Sequence, residues 1–128
     1  MKVLLDTCTV IWATLSPANL SEEARKVLAD PDNAILVSAA SAWEIATKVR
    51  NGKIPEAEPL ERNFLETMAV ADYTLLAIDT ESALRAGRLL GDHRDPFDRM
   101  IAAQALGMDI SVVTPDTLLD GFGVRRIW

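Results

Sequence analysis

Five acidic side chains occupy positions from which a folded chain could bring carboxylates together. They are Asp6, Glu44, Asp95, Asp98 and Asp116. Several carboxylates in one pocket repel one another, and without a cation some of them would stay protonated. Divalent cations remove this repulsion, and Mg²⁺ prefers oxygen ligands and commonly shares its coordination with substrate phosphates. The set therefore predicts metal-dependent hydrolysis of a phosphate ester, in which two ions roughly 3.5 to 4 Å apart activate water and stabilise the leaving oxygen.

Three of these acids lie at or just beyond the end of a predicted strand. The strands are the short apolar segments at residues 3–5, 34–38 and 111–114. Asp6 follows the first strand, Glu44 lies in the helix after the second, and Asp116 follows the third. Because ligands of an open parallel sheet bind at the carboxyl ends of its strands, we expect these carboxylates to meet at one edge of the sheet.

The segments between the strands have the pattern of helices. The predicted helices cover residues 7–15, 21–30, 41–50, 60–71, 80–90 and 95–106. Two further strands are predicted at residues 75–79 and 124–127. Asp95 is the N-cap of the last helix, Pro96 occupies its first position, and Asp98 lies in its first turn. Alternating strands and helices predict an α/β fold with a mainly parallel sheet, and 128 residues are the length of one domain, residues 1–128.

Each acid also has a structural explanation. Glu44 follows Ser41 with the spacing of a capping box, so its carboxylate could satisfy a backbone N–H at a helix start. Asp95 is an efficient N-cap, and Asp98 could complement the helix dipole. Asp116 could cap a turn, as could the acid at the end of the first strand. The functional hypothesis therefore depends on the combination, and it fails if the acids lie on separate surfaces.

Composition sets further limits on the class of protein. Hydrophobic residues make up 49% of the chain, so a core can form without disulfides, and the one cysteine cannot pair within the chain. No apolar stretch approaches the roughly 18 to 20 residues of a membrane span, and we expect a cytoplasmic protein. The net charge of −6 argues against nucleic-acid binding unless bound cations reverse the local field.

Several segments resemble a known family. They are residues 4–7 (LLDT), 38–46 (SAASAWEIA), 95–105 (DPFDRMIAAQA), 113–116 (VTPD) and 123–128 (GVRRIW). In this order and spacing they look like PIN-domain proteins, specifically VapC-type toxins of type II toxin–antitoxin systems. One departure is Cys8, where relatives often carry a polar residue or histidine.

The resemblance implies a three-layer α/β/α PIN-like fold and an Mg²⁺- or Mn²⁺-dependent endoribonuclease. It also implies a homodimer, a cognate antitoxin protein and an RNA substrate cleaved to a 5′-phosphate and a 3′-hydroxyl. Metal-binding and catalytic positions of the family match Asp6, Glu44, Asp98 and Asp116, with Asp95 as an additional candidate ligand and Thr114 as a supporting hydroxyl.

Basic residues near the acids are the candidates for RNA contacts. Lys48 lies four residues after Glu44 on the same helical face, while Arg94 and Arg99 flank the last helix start. Arg99 could instead pair with a carboxylate and set its orientation. His93, the only histidine, is interpreted as a surface loop residue.

Apolar residues at helical spacing are interpreted first as packing. Trp12 and Trp43 are expected in the core or at a dimer contact. Leu60, Phe64 and Met68 are expected to pack inward, with a groove for an antitoxin helix as the alternative.

Two other functions compete with the nuclease. One is a catalytically inert PIN-fold module that binds a partner without cutting. The other is an aspartate-based phosphotransfer domain. The haloacid dehalogenase type needs a second aspartate two residues after the first, where this chain has Cys8, and a receiver-type acceptor at Asp79 lacks a convincing later lysine.

Overall fold

Five short strands form one sheet in the computed structural model, which describes residues 1–128. β1 (Lys2–Leu5) is central and pairs with β2 (Ala34–Ser38) on one side. β3 (Thr74–Leu76) pairs with the far edge of β2, while β4 (Ser111–Val113) lies on the other side of β1 and β5 (Arg126–Ile127) closes that edge. Every pairing is parallel, in the order β3-β2-β1-β4-β5. The predicted parallel sheet is confirmed.

Helices cover both faces of this sheet. They are α1 (Thr7–Leu15), α2 (Glu22–Ala29), α3 (Ala39–Arg50), α4 (Glu58–Arg62), α5 (Phe64–Val70), α6 (Thr80–Arg88) and α7 (Pro96–Met108). Short 3-10 turns occupy Pro17–Asn19, Pro55–Ala57 and Thr117–Phe122. None of the helices is both long and apolar enough to cross a membrane.

Alternation along β1 divides the interior into two cores. Val3 and Leu5 point into a core that includes residues of α1 to α5, whereas Leu4 points into a core formed mainly with α7. All three side chains are fully buried. Burial on both faces explains why the strands are uniformly apolar rather than alternating with polar residues. The three-layer α/β/α arrangement is therefore confirmed.

One predicted helix begins two residues earlier than expected. α3 starts at Ala39, and its N-cap is Ser38, whose Oγ accepts the backbone N–H of Ala40 at 3.0 Å. Ser41 lies inside the helix, where its Oγ accepts the hydroxyl of Thr7. The prediction that Ser41 opens this helix was wrong.

Other boundaries differ where local structure interrupts the pattern. The helix predicted over residues 60–71 is two helices, α4 and α5, which meet at Asn63. β3 ends at Leu76, because Asp79 serves as the N-cap of α6 and accepts the N–H of Ser82. β5 begins at Arg126, two residues later than predicted.

Candidate metal centre

All five acidic candidates line one cleft of about 430 Å³ at the carboxyl end of the sheet. β1, β2 and β4 are adjacent strands, so the residues that follow them meet there. Asp6 comes directly from β1, and Asp116 from the turn after β4. Glu44 comes from α3, which follows β2, and the pair Asp95 and Asp98 comes from the start of α7. The convergence that the sequence-based hypothesis required is present.

Asp6 is one of the two most buried acids of the cleft, and Glu44 is the other. Its Oδ1 accepts the N–H of Thr9 at 2.8 Å, so Asp6 is the N-cap of α1. Its Oδ2 accepts the hydroxyl of Thr114, whose oxygen also accepts the N–H of Asp116 at 3.0 Å. Burial raises the pKa of Asp6, and the bonds from Thr114 and Thr9 oppose that rise. Thr114 thus links two acids of the cleft, as a supporting hydroxyl would.

Glu44 is buried and only half satisfied. It lies in the second turn of α3, so the capping role suggested by its spacing from Ser41 does not apply. Oε2 accepts Lys48 Nζ at 2.5 Å across one helical turn. Oε1 is buried and has no hydrogen-bond partner. Leaving a carboxylate oxygen buried and unpaired is costly, so this atom requires a ligand that the protein itself does not provide.

Asp98 and Asp95 have different roles at the start of α7. Asp95 Oδ1 accepts the N–H groups of Phe97 and Asp98, which confirms that Asp95 is the N-cap. Asp98 is not needed as a cap, and its carboxylate faces the cleft. Burial raises the pKa of Asp98 to about 6, and the neighbouring charges of Asp95 and Glu44 add to that rise.

His93 is a member of this site that sequence analysis missed. Its Nε2 lies 2.7 Å from Asp98 Oδ2 and 4.0 Å from Asp116 Oδ2. The interpretation of His93 as a surface loop residue was therefore wrong. Its position five residues before Asp98, as the only histidine of the chain, was the available signal.

Cys8 lies beside the acids but has no activating cation. Burial raises the pKa of the Cys8 thiol to about 12, and the charges of Asp6 and Glu44 contribute. A nucleophilic cysteine needs the opposite shift. The thiol is therefore protonated near neutral pH, which does not favour a nucleophilic role for Cys8.

The three basic candidates differ in how they are engaged. Lys48 is paired with Glu44, and Arg94 is exposed. Arg99 donates to the backbone carbonyls of Ala86, His93 and Leu89. Its guanidinium also lies 5.4 Å from the ring centre of Phe122. Because its donors are engaged with backbone carbonyls, Arg99 anchors the loop before α7 and does not pair with a carboxylate. This corrects its expected role as an RNA contact.

The aromatic and apolar candidates separate into core and surface. Leu60, Phe64 and Met68 are buried, so their expected packing role is confirmed and they form no open groove. Trp12 is half-buried, with its ring centre 5.8 Å from that of Trp128. Trp43 is 61% exposed, which excludes the core and leaves a dimer contact as its predicted role.

The residues of the cleft fit a divalent cation. The unpaired Oε1 of Glu44 requires a positively charged or donating ligand, and the surrounding acids supply oxygen donors. His93, Asp98 and Asp116 present three further donor atoms within 4.8 Å of one another. The fold and the site together define a three-layer α/β domain with a cation-accepting acidic cleft beyond the central strands.

The chain belongs to the PIN domain family, because the family model matches residues 3–123. A curated relative is Ribonuclease VapC16 of Mycobacterium tuberculosis (strain ATCC 25618 / H37Rv), which is 40% identical over 62 residues. That alignment spans 48% of this chain and 44%, less than half, of the relative.

Solved structures have the same fold, and one of them is a toxin–antitoxin complex from Klebsiella pneumoniae, with a TM-score of 0.54 at 22% identity, covering 90% of this chain and 87% of that chain. VapBC2 from Rickettsia felis, bound to a DNA fragment from its promoter, aligns with a TM-score of 0.72 at 16% identity, covering 99% of this chain and 98% of that chain. FitAcB from Neisseria gonorrhoeae aligns with a TM-score of 0.63 at 22% identity, covering 98% and 96%. VapBC-1 from nontypeable Haemophilus influenzae gives 0.66 at 15% identity, covering 99% and 97%. At these identities the similarity shows the fold.

Proposed function

We propose that residues 1–128 form a single PIN domain that hydrolyses RNA phosphodiester bonds in the cytoplasm, as the toxin of a toxin–antitoxin pair. The observation that carries this proposal is the convergence of five carboxylates on one cleft in which Glu44 Oε1 is buried without a partner. A divalent cation relieves the mutual repulsion of such a cluster at neutral pH. Similarity to a ribonuclease of the same family supports the choice of RNA as substrate.

Asp6, Glu44, Asp98 and Asp116 hold the cation, which is Mg²⁺ or Mn²⁺, and Asp95 contributes negative charge from its capping position. When bound, the ion lowers the pKa of a water molecule and neutralises charge on the scissile phosphate. Thr114 keeps Asp6 in a fixed orientation, since its hydroxyl donates to Asp6 and accepts from the backbone of Asp116.

Lys48 and Arg94 supply the contacts to the RNA backbone. Lys48 lines the cleft beside Glu44, and Arg94 is exposed in the loop next to Asp95. Basic groups at the edge of an acidic centre attract phosphate while leaving the cation-binding oxygens free. Arg99 acts indirectly, because it holds the loop that carries Arg94.

An antitoxin protein is the proposed regulatory partner. A solved structure that shares the fold is a toxin–antitoxin complex from Klebsiella pneumoniae, which supports this proposal. In this chain Ile11, Trp12 and Ile54 form an apolar wall of the acidic cleft. A partner segment with apolar and basic side chains complements both the wall and the carboxylates, and such charge complementarity favours specific binding.

A homodimer is proposed through the exposed apolar surface next to α7. Trp43 packs edge-on against Phe97, with ring centres 4.8 Å apart, yet remains 61% exposed. Ile78 and Met100 line the same groove of about 220 Å³. A large exposed aromatic in an apolar groove is typical of a protein contact. Sedimentation of Trp43→Lys should show monomers where the wild-type protein shows dimers, and dimers in both would refute this surface.

Cleavage assays with Asp6→Asn and Asp98→Asn test the proposed activity. Asparagine is a good N-cap, so Asp6→Asn keeps the bond from Thr9, and Asp98 caps nothing. Both variants should fold as judged by circular dichroism, yet lose cleavage of labelled RNA in Mg²⁺ or Mn²⁺ by at least about a hundredfold. Asp32→Asn, an exposed turn residue far from the cleft, is the matched control.

The rival functions predict different results in the same assays. Cleavage that persists in Asp6→Asn or Asp98→Asn would refute the assigned roles. Wild-type protein that binds Mn²⁺ by calorimetry but cuts no RNA would indicate an inert interaction module. Phosphorylation by acetyl phosphate would indicate the phosphotransfer domain instead.

A further inference from the structure

The His93 imidazole is placed as a ligand rather than as a free surface group. Its Nε2 is 2.7 Å from Asp98 Oδ2 and 4.0 Å from Asp116 Oδ2. Ligand atoms that lie about 2.0 to 2.3 Å from one ion are separated by no more than roughly 4.5 Å. Both measured separations fall within that limit, so one cation can contact all three side chains after small side-chain movements.

The fold fixes the orientation of this ring. The carbonyl of His93 accepts a hydrogen bond from Arg99 Nη1 at 3.1 Å. Arg99 also donates to the carbonyls of Leu89 and Ala86. The imidazole stacks on Phe122 with ring centres 6.1 Å apart and an angle of 28° between the planes. A side chain held by both backbone and ring contacts loses little further freedom on binding an ion.

A second, independent feature of the cleft also indicates a ligand. Glu44 is only 4% exposed, and its Oε1 has no hydrogen-bond partner. It comes from α3, whereas His93 and Asp98 come from the loop and start of α7. A buried acceptor without a partner is an independent sign that the acidic cleft, which Asp98 and Asp116 also line, accepts a cation.

We propose that His93 coordinates the cation through Nε2 and makes the site prefer ions that accept imidazole, so that Mn²⁺ binds more tightly than Mg²⁺. This inference rests on the proposed metal-dependent function. Mg²⁺ takes oxygen ligands almost exclusively, whereas first-row transition ions also accept imidazole, and Mn²⁺, the hardest of them, still binds a nitrogen ligand better than Mg²⁺ does. A site made only of carboxylates would lack this source of discrimination.

Coordination requires one change in the hydrogen bonding of His93. Without an ion, Nε2–H donates to Asp98 Oδ2. With an ion, the ring carries its proton on Nδ1, and the Nε2 lone pair faces the cation. Asp98 would then bind the same ion through Oδ2, the oxygen that accepts the hydrogen bond from Nε2–H when no ion is bound. If His93 only orients Asp98, replacing His93 should lower the affinity of the site for Mn²⁺ and for Mg²⁺ by the same factor.

Calorimetric titration of tag-free protein with MnCl₂ and with MgCl₂ separates these roles. Glutamine in His93→Gln keeps an N–H donor for Asp98 and offers the ion an oxygen. We expect the Mn²⁺ affinity to fall about tenfold or more and the Mg²⁺ affinity to fall less than about threefold. The matched control is Asp92→Asn in the same loop, which should change neither affinity. Equal losses for the two ions, or no loss, would overturn the proposal.

Pulsed electron paramagnetic resonance of the Mn²⁺-loaded protein gives a second readout. His93 is the only histidine, so imidazole ¹⁴N coupling to bound Mn²⁺ can arise from no other residue. We expect this coupling in the wild-type protein and not in His93→Gln. Wild-type protein that binds Mn²⁺ without the coupling would refute His93 as a ligand and leave the proposed nuclease intact. Failure of the wild-type protein to bind either ion would refute both.

Discussion

Lys48 Nζ donates to Glu44 Oε2 at 2.5 Å, while the other oxygen of the same carboxylate is buried without a partner. The ammonium therefore neutralises one side of Glu44 and leaves the other side for a cation. A positive charge so close to a metal ligand weakens cation binding by repulsion, although the same charge attracts phosphate. Lys48 thus has opposite effects on the two ligands of the proposed site.

Lys48→Met should separate these two effects. Loss of the ammonium should strengthen Mn²⁺ binding by roughly three- to tenfold, because the Coulomb repulsion is removed. RNA affinity should fall several-fold and should depend less on salt concentration. Calorimetry with MnCl₂ and fluorescence anisotropy with labelled RNA measure the two changes, with Lys48→Arg as the charge-preserving control. Weaker binding of both ligands would show that Lys48 mainly holds Glu44 in place.

Asp98→Asn should stabilise the metal-free protein while removing its response to metal. Burial and the neighbouring acids raise the pKa of Asp98 to about 6, so its charge at pH 7.5 opposes folding. We expect the melting temperature in EDTA to rise by roughly 3 to 6 °C, as about 1 kcal/mol gives in a domain of this size after allowance for solvent screening. Added Mn²⁺ should raise the melting temperature of the wild-type protein but not of the variant. A lower melting temperature in EDTA would contradict this prediction.

The stability of the metal-free protein should fall as pH rises. The pKa of Asp98, which faces His93, Asp95 and Glu44, is raised in the folded state, as is that of Asp6. Between the unfolded value near 4 and about 6, the folded protein therefore binds more protons than the unfolded chain, and the contribution of Asp98 to stability decreases with pH.

Urea denaturation at pH 5.0 to 7.5 measures this dependence. In EDTA, the free energy of unfolding should decline most steeply between pH 5.0 and about 6, and saturating Mn²⁺ should flatten or reverse the decline because the ion stabilises the charged carboxylates. Asp98→Asn should have a smaller slope than the wild-type protein. A free energy of unfolding that rises with pH in EDTA would contradict the raised pKa values.

The main features of the sheet and the acidic cleft could be predicted from the sequence because they depend on local signals. Residues 3–5 form an apolar segment that ends at Asp6, as expected for a short parallel strand buried on both faces. Asp95 followed by Pro96 is a strong signal for the start of a helix. In the structure Asp95 is the N-cap of α7 and Pro96 is its first residue. Once the strands are parallel and adjacent, the acids that follow them have to share one edge.

The features that sequence analysis missed depend on contacts between distant residues. Ser38 and Ser41 are equally good caps by type, and the choice between them involves burial of Ser41 against Thr7, 34 residues away. His93 contacts Asp98 in a loop whose carbonyls bind Arg99, and contacts to backbone carbonyls cannot be recognised from residue types. The exposure of Trp43 likewise depends on how α3 lies against α7.

Gln104 should contribute strongly to stability although it is polar. Its Oε1 accepts the Ser38 hydroxyl at 2.6 Å, and its Nε2 donates to the carbonyl of Ala77 at 3.1 Å. Gln104→Leu removes the acceptor of the buried Ser38 hydroxyl and the donor to the Ala77 carbonyl, which should lower the free energy of unfolding by about 2 kcal/mol. Gln104→Glu keeps the acceptor for Ser38 but buries a carboxylate whose second oxygen faces the Ala77 carbonyl, so it should lose at least as much. Urea denaturation that finds Gln104→Leu as stable as the wild-type protein would contradict this role.

Arg99 should determine the order of the loop that carries His93. Its planar guanidinium bonds three carbonyls in a fixed arrangement, whereas the ammonium of Arg99→Lys cannot reach all of them. We expect amide hydrogens of residues 89–94 to exchange at least about tenfold faster in this variant, with sheet amides unchanged. The Mn²⁺ affinity should fall because the nitrogen of His93 is less well placed. Arg88→Lys, an exposed change on α6, is the control, and unchanged exchange over 89–94 in Arg99→Lys would show that other contacts hold the loop.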